Sequence, residues 1–300
     1  MDLALLALFA SLVTAICQSV TDLGTKAATR TADDRAILAA QWCAGAGLLS
    51  LSCLIFYPGL LSAPRETLAS LTRTDFWTLL AWSGALNVVA YVLYIRAFRL
   101  SDASLVAPLV LLTPVLMLFT SPIMTGEHAP PMGIFGVLFT VLGVGLLDVD
   151  EESGRRFNFR VFARDKGARM MIGTAVIWSI TANIDKLGVR ASTPLIWIAA
   201  VTILIAFFAL LYWFAGRRAA PSAFDLRYAI GAGSAMAFGN TLQMWALTVL
   251  FTPYVIAIKR LSALFTVVAS GHVLKEESRG RLLGAAVMLL GAVMIALARE

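Results

Sequence analysis

The chain has 300 residues, 59% of them apolar and only 14% charged, with a net charge of +6. Soluble proteins carry roughly 25% charged residues and about 45–50% apolar ones. Collagen, intrinsic disorder and a disulfide scaffold are excluded, and a soluble globule is all but excluded, because it could not hide so much apolar surface.

Apolar runs cover roughly 3–23, 36–57, 76–98, 103–125, 131–148, 170–189, 195–215, 227–250, 253–274 and 281–298. A membrane helix needs about 20 such residues. The pattern therefore predicts an all-α integral membrane protein with ten transmembrane helices and short loops. The first run opens Met1-Asp2-Leu3, without the positive start or the cleavage motif of a signal peptide, so it counts as a span.

Polar residues inside these runs are costly in lipid and should face the bundle interior. In the first run Gln18, Asp22 and Lys26 recur every four residues and share one helix face. Cys17, Cys43 and Cys53 lie in apolar stretches without metal-ligand spacing and count as small buried hydrophobes. The third run holds Asn87, Tyr91 and Tyr94, which offer directional hydrogen bonds without net charge. They fit either a solute site or interhelical bonding. Pro108 and Pro114 in the fourth run fit either a hinge or a tolerated bend.

Asn183, Asp185 and Lys186 end the sixth run. Asp22 and Asp185 fit two roles: binding a proton, cation or amine, or pairing with a neighbouring Lys to anchor a helix end. The eighth run carries Asn240 and Gln243, with Trp245 beside them as a packing residue. Lys259 and Arg260 stand well inside the ninth run. A fixed cation there would attract a carboxylate or phosphate, or else neutralise a buried Asp. Gly45/Gly47, Gly143/Gly145 and Gly231/Gly233 permit close helix approach.

The landmarks occur twice. At an offset of 160, Ser19, Thr21, Lys26 and Arg30 meet Ser179, Thr181, Lys186 and Arg190. At an offset of 149, Glu127 meets Glu276, and Gly136 and Gly143 are followed by the like-spaced Gly284 and Gly291. The expected organisation is a first five-helix repeat at 1–149, a basic linker at 150–169 and a second repeat at 170–300. Five spans per half would give the halves opposite orientation, an inverted repeat suited to alternating access.

Seventeen of the 24 Lys and Arg fall in the odd-numbered loops and five in the even loops and termini. The positive-inside rule then puts both termini outside and the linker inside. The linker interleaves Phe157, Phe159 and Phe162 with Arg, as a segment lying on anionic headgroups would. A basic cytoplasmic face explains the net charge without nucleic acid.

Several stretches resemble one family. Val255 to Phe265, Lys275-Glu276-Glu277 and Arg281 to Gly284 are similar to the ninth-to-tenth helix signature of EamA-like members of the drug/metabolite transporter superfamily. Leu105 to Pro108, Thr113-Pro114, Gly126-Glu127, Arg164 to Arg169 and Trp178 to Lys186 are similar too. The resemblance implies ten helices in two inverted five-helix repeats. Helices 1, 3, 4, 6, 8 and 9 would line a central cavity, and helices 5 and 10 would be peripheral. Small multidrug relatives use a Glu in their first helix, which neither first helix has here.

The expected function is a secondary transporter of a small amphipathic metabolite in a bacterial inner (plasma) membrane. The expected partners are that solute, the bilayer and a coupling proton or other ion. No cofactor or metal is expected, and no nucleotide-binding motif points to ATP. A lipid head-group flippase and a non-transporting scaffold are the alternatives. An intramembrane Ser234–His272 hydrolase has only composition behind it.

Overall fold

The computed structural model describes residues 3–56, 74–101, 106, 109–110, 112–147, 165–216, 223–262, 265 and 282–298. Most of the linker, Pro108, His272, Lys275 to Glu277 and Arg281 lie outside the described residues.

The described residues form ten helices: α1 (Leu3–Ala28), α2 (Asp34–Phe56), α3 (Thr74–Leu100), α4 (Leu112–Thr125), α5 (Pro131–Leu147), α6 (Lys166–Ala191), α7 (Pro194–Phe214), α8 (Ala223–Ala246), α9 (Thr252–Lys259) and α10 (Leu282–Leu297). Local chemistry sets several ends. Asp165 caps α6 by accepting from the Ala168 N–H at 2.7 Å. Thr193 caps α7 in the same way, with Pro194 in the first turn. α1 runs past its apolar stretch, and there Thr21 and Thr25 satisfy their hydroxyls within the helix on Cys17 O and Thr21 O.

The helix pairings come in mates. α1 packs chiefly on α8, and its equivalent α6 packs on α3, the equivalent of α8. Matched threonines stitch both interfaces. Thr14 donates to Gly239 O at 3.0 Å between α1 and α8. Thr174, 160 positions on, donates to Ala90 O at 3.3 Å between α6 and α3. α5 and α10 lie against each other, where a Cβ on Gly136 would come within 2.9 Å of Gly291 O. Gly233 likewise leaves room for the Gln41 backbone, whereas Gly47 and Gly231 face open space.

α1, α2, α3 and α7 are each long and apolar enough to cross a membrane. Large apolar side chains point outward, among them Ile123 at 85% exposed, Phe56 at 73% and Phe119 at 69%. Such a surface suits lipid and would be an aggregation hazard in water.

Two elements differ from expectation, and they are equivalents. The described part of α4 starts only at Leu112, after a 3-10 turn at Leu109–Val110. α9 ends at Lys259, where Arg260 and Leu261 bond back three residues to Ala257 O and Ile258 O. Regular helix therefore breaks at the cation pair, not beyond it. Pro114 sits in the first turn of the described part of α4. Pro122 is the proline inside that helix.

Candidate functional site

A cavity opens between the halves, with about 570 Å³ of atom-free space including its solvent-open part. Eight helices reach it. Gln18 comes from α1, Trp42 from α2, Asn87 and Tyr91 from α3, and Thr113 from α4. α6 presents Trp178, Thr181, Ala182 and Asp185, a spacing that keeps one helix face toward the cavity. Ile198, Val201 and Ile205 of α7 form an apolar wall by the same spacing. Asn240, Gln243 and Met244 of α8, Ile256 and Lys259 of α9, and Arg260 complete it among the described residues.

α5 and α10 contribute nothing to this lining among the described residues, in line with their peripheral place. α2 and α7 do contribute, beyond the six helices the family resemblance implied.

The two cations are buried, Lys259 at 9% and Arg260 at 7% exposed. Lys259 Nζ donates to Gln243 Oε1 at 2.7 Å and to Asn240 Oδ1 at 3.1 Å. Those two amides therefore serve the cation as neutral acceptors. Arg260 lies with Cζ 5.2 Å from the centre of the Trp178 ring, a cation–π contact. Among the described residues neither cation forms an ion pair with a carboxylate.

The two carboxylates are held by neutral donors. Ser83 donates to Asp185 Oδ1 at 2.8 Å and Trp197 Nε1 donates to the same oxygen at 3.1 Å. Asn87 Nδ2 reaches Ser83 Oγ at 3.2 Å. Asp22 accepts from Gln18 Nε2 at 2.7 Å and from the Tyr94 hydroxyl. Pairing of each Asp with a neighbouring Lys is not what the structure has. Residues 185 and 186 are about 100° apart around the helix, so their side chains diverge. Lys259 lies within electrostatic reach of both Asp22 and Asp185.

Several candidate residues are not in the lining. Asp22 and Tyr94 sit behind the lining: Asp22 bonds to Gln18, and the Tyr94 ring lies against Tyr91 and Trp178. Lys26 Nζ donates to Phe98 O at 3.3 Å, tying α1 to α3. Asn183 faces α4 instead. It accepts from Ser121 Oγ at 2.7 Å and donates to Thr120 Oγ1 at 3.0 Å. Lys186 Nζ pairs with Glu127 Oε1 at 2.6 Å and donates to Leu250 O at 2.9 Å. Arg190 joins the same carboxylate at 2.7 Å. This cluster fastens one end of the bundle.

Trp42 and Thr113 were not among the sequence candidates for the cavity, yet both line it, as does Asp185, for which the sequence left a helix-end anchor as the other role. Trp42 stands in an apolar run like any packing residue, so the sequence carried no signal for it. The periodicity Trp178, Thr181, Asp185 could have found Asp185. Ser234 of the imagined hydrolase dyad simply bonds back to Ile230 O at 3.1 Å. Cys17, Cys43 and Cys53 are free thiols.

The family model of the "EamA-like transporter family" matches the chain twice, at residues 5–147 and 165–297. No curated protein matches. A solved crystal structure superposes with a TM-score of 0.75 at 16% identity, covering 97% of this chain and 96% of that one. At that identity the likeness speaks for the fold alone. The two family matches together span most of the chain, which belongs to the EamA-like transporter family: a helical membrane protein of two EamA repeats, and a transporter rather than an enzyme.

Proposed function

We propose that this EamA-like transporter is a secondary transporter that carries a small amphipathic solute through its central cavity by alternating access. The observation behind this is the cavity itself. It lies between the two repeats and combines an aromatic and aliphatic wall with two buried cations that have no carboxylate partner among the described residues. Charge in a bilayer needs a reason, and a solute that meets it in transit supplies one.

In this proposal ten helices cross the membrane, five per repeat, and the repeats are inverted. The matched pairings of α1 with α8 and of α6 with α3 support such symmetry. Rocking of the halves would then expose one site alternately to two faces. The excess of Lys and Arg in the odd loops supports placing those loops in the cytoplasm.

Purified protein in proteoliposomes tests the function. Labelled solutes loaded inside should leave faster than from protein-free vesicles, and unlabelled solute outside should accelerate the exchange. Folded protein that exchanges none of a broad set of small acids, amines and neutral amphiphiles would leave only a scaffold.

A further inference from the structure

Among the described residues, three buried polar atoms of the cavity lining have no hydrogen-bond partner: Trp42 Nε1, Thr113 Oγ1 and Arg260 Nε. Trp42 is 2% exposed, Thr113 1% and Arg260 7%. The indole and guanidinium nitrogens can only donate, and the hydroxyl can donate. An unmade buried donor is costly, so each of these groups favours an acceptor on whatever occupies the cavity.

Trp42 and Arg260 bound an aromatic wall. Trp42 and Tyr91 lie with ring centres 4.7 Å apart, and Tyr91 and Trp178 5.3 Å apart. Arg260 then covers the Trp178 face. The wall therefore runs from an indole donor on α2 to a guanidinium just after α9. A guanidinium stacked on a ring keeps its edge for a planar carboxylate, which it grips with two parallel bonds.

The other charges leave this role open. Lys259 adds positive field, but its ammonium is already bonded to Asn240 and Gln243. Asp185, the acidic residue in the lining, is held by Ser83 and Trp197. Asp22 is turned to Gln18 and Tyr94 and lies within electrostatic reach of Arg260, with no ion pair between the two among the described residues.

We infer that the cavity takes a small planar organic anion. Its carboxylate meets Arg260, its unsaturated body lies along Trp178 and Tyr91, and an acceptor atom at its far end meets Trp42 or Thr113. This deepens the transport proposal and rests on it for its physiological meaning.

Three probes with one ring system test the sign of the site: 2-naphthoate, 2-naphthamide and 2-naphthylmethylammonium. Calorimetric titration of the purified wild-type protein should rank the acid first. The amide should bind about tenfold or more weakly, since a charge-assisted pair is lost, and the amine weakest. Arg260→Gln should bring naphthoate down to the level of the amide and leave the amide unchanged. Arg260→Lys, which keeps the charge but not the fork, should fall between. Trp178→Leu should weaken acid and amide alike.

The wild-type ranking stands alone if a variant does not fold. Equal binding of the three, preference for the amine, or no binding of any overturns the inference. So does an Arg260→Gln variant that keeps the preference for acid. Flux is read separately in proteoliposomes. Naphthoate binding without flux of any solute defeats the transport proposal only. Flux of the amine with no naphthoate binding defeats this inference only.

Discussion

Lys26 and Lys186 stand 160 positions apart, near the ends of the equivalent helices α1 and α6, and each donates to a backbone carbonyl, Lys26 in the last turn of α3 and Lys186 in the connection from α8 to α9. Lys26 reaches Phe98 O at 3.3 Å and Lys186 reaches Leu250 O at 2.9 Å. The repeat therefore preserves a fastening that lies outside the cavity lining. The two fastenings differ in strength, because Lys186 also pairs with Glu127 and is 7% exposed against 19% for its partner.

Lys186→Met should lower stability by about 2 kcal/mol, less than for a fully buried pair because Glu127 keeps Arg190 and some water. Lys26→Met should cost less than half of that. Thermal unfolding in detergent checks both. Solute KM should be unchanged for either variant that retains its fold. Equal losses would mean that Glu127 adds nothing.

Lys259→Met and Arg260→Gln should differ in kind. Lys259→Met leaves the Asn240 and Gln243 oxygens without their shared donor, so it should cost stability, about 1–3 kcal/mol, as well as transport. Arg260 has no side-chain hydrogen bond to a described residue. Arg260→Gln should therefore lower transport with a smaller change in melting temperature. The paired readout is melting temperature and proteoliposome flux. Normal flux in both variants removes the pair from the site.

Gly136→Ala should loosen α5 from α10. The new methyl would meet Ile295 Cγ1 at 2.8 Å and the Gly291 carbonyl at 2.9 Å, and backbone cannot step aside cheaply. The expected loss is about 1–3 kcal/mol of stability. Neither helix lines the cavity, so solute affinity should not move.

Topology is testable with single cysteines on a background lacking Cys17, Cys43 and Cys53. His128→Cys lies between α4 and α5 and is exposed. An impermeant thiol reagent added to intact cells should label it. Ser153→Cys in the linker should stay unlabelled until the cells are opened. The reverse pattern would invert the charge-based orientation.

The cap of α6 should respond to acid. The Ser101 hydroxyl, donating at 2.6 Å, and the Ala168 N–H hold the Asp165 carboxyl below its usual range. A lowered carboxylate stabilises the fold above the ordinary Asp pKa of about 3.9 and loses that effect as pH falls through its folded value. Asp165→Ala should cost about 1 kcal/mol at neutral pH. Asp165→Asn, still a good cap, should cost less. Its deficit against wild type should start to shrink below about pH 4 and vanish as pH falls through the lowered folded value. Melting curves from pH 7 downward follow the difference.

Much of the fold was legible because lipid imposes simple rules. Apolar length announced the helices, and Ser19/Ser179, Thr21/Thr181 and Lys26/Lys186 announced the two repeats. Boundaries inside α4 and α9 were not legible. A run of apolar residues has the same hydropathy in an α-helix as in a 3-10 turn, so the break at Arg260 left no trace in composition.

The sequence by itself determined which polar residues had to be buried: Gln18, Asn87, Asn240, Gln243, Lys259 and Arg260 sit in runs that lipid would otherwise surround. Only the tertiary structure decided what each of them faces. Asn183 and Asp185 are two positions apart, yet one bonds to α4 and the other lines the cavity. Trp42 and Thr113 became site residues because helices distant in sequence carry them to one wall. Helical rotation turns neighbours about 100° apart, and packing then chooses which face is wet, a choice made between helices and written in none of them alone.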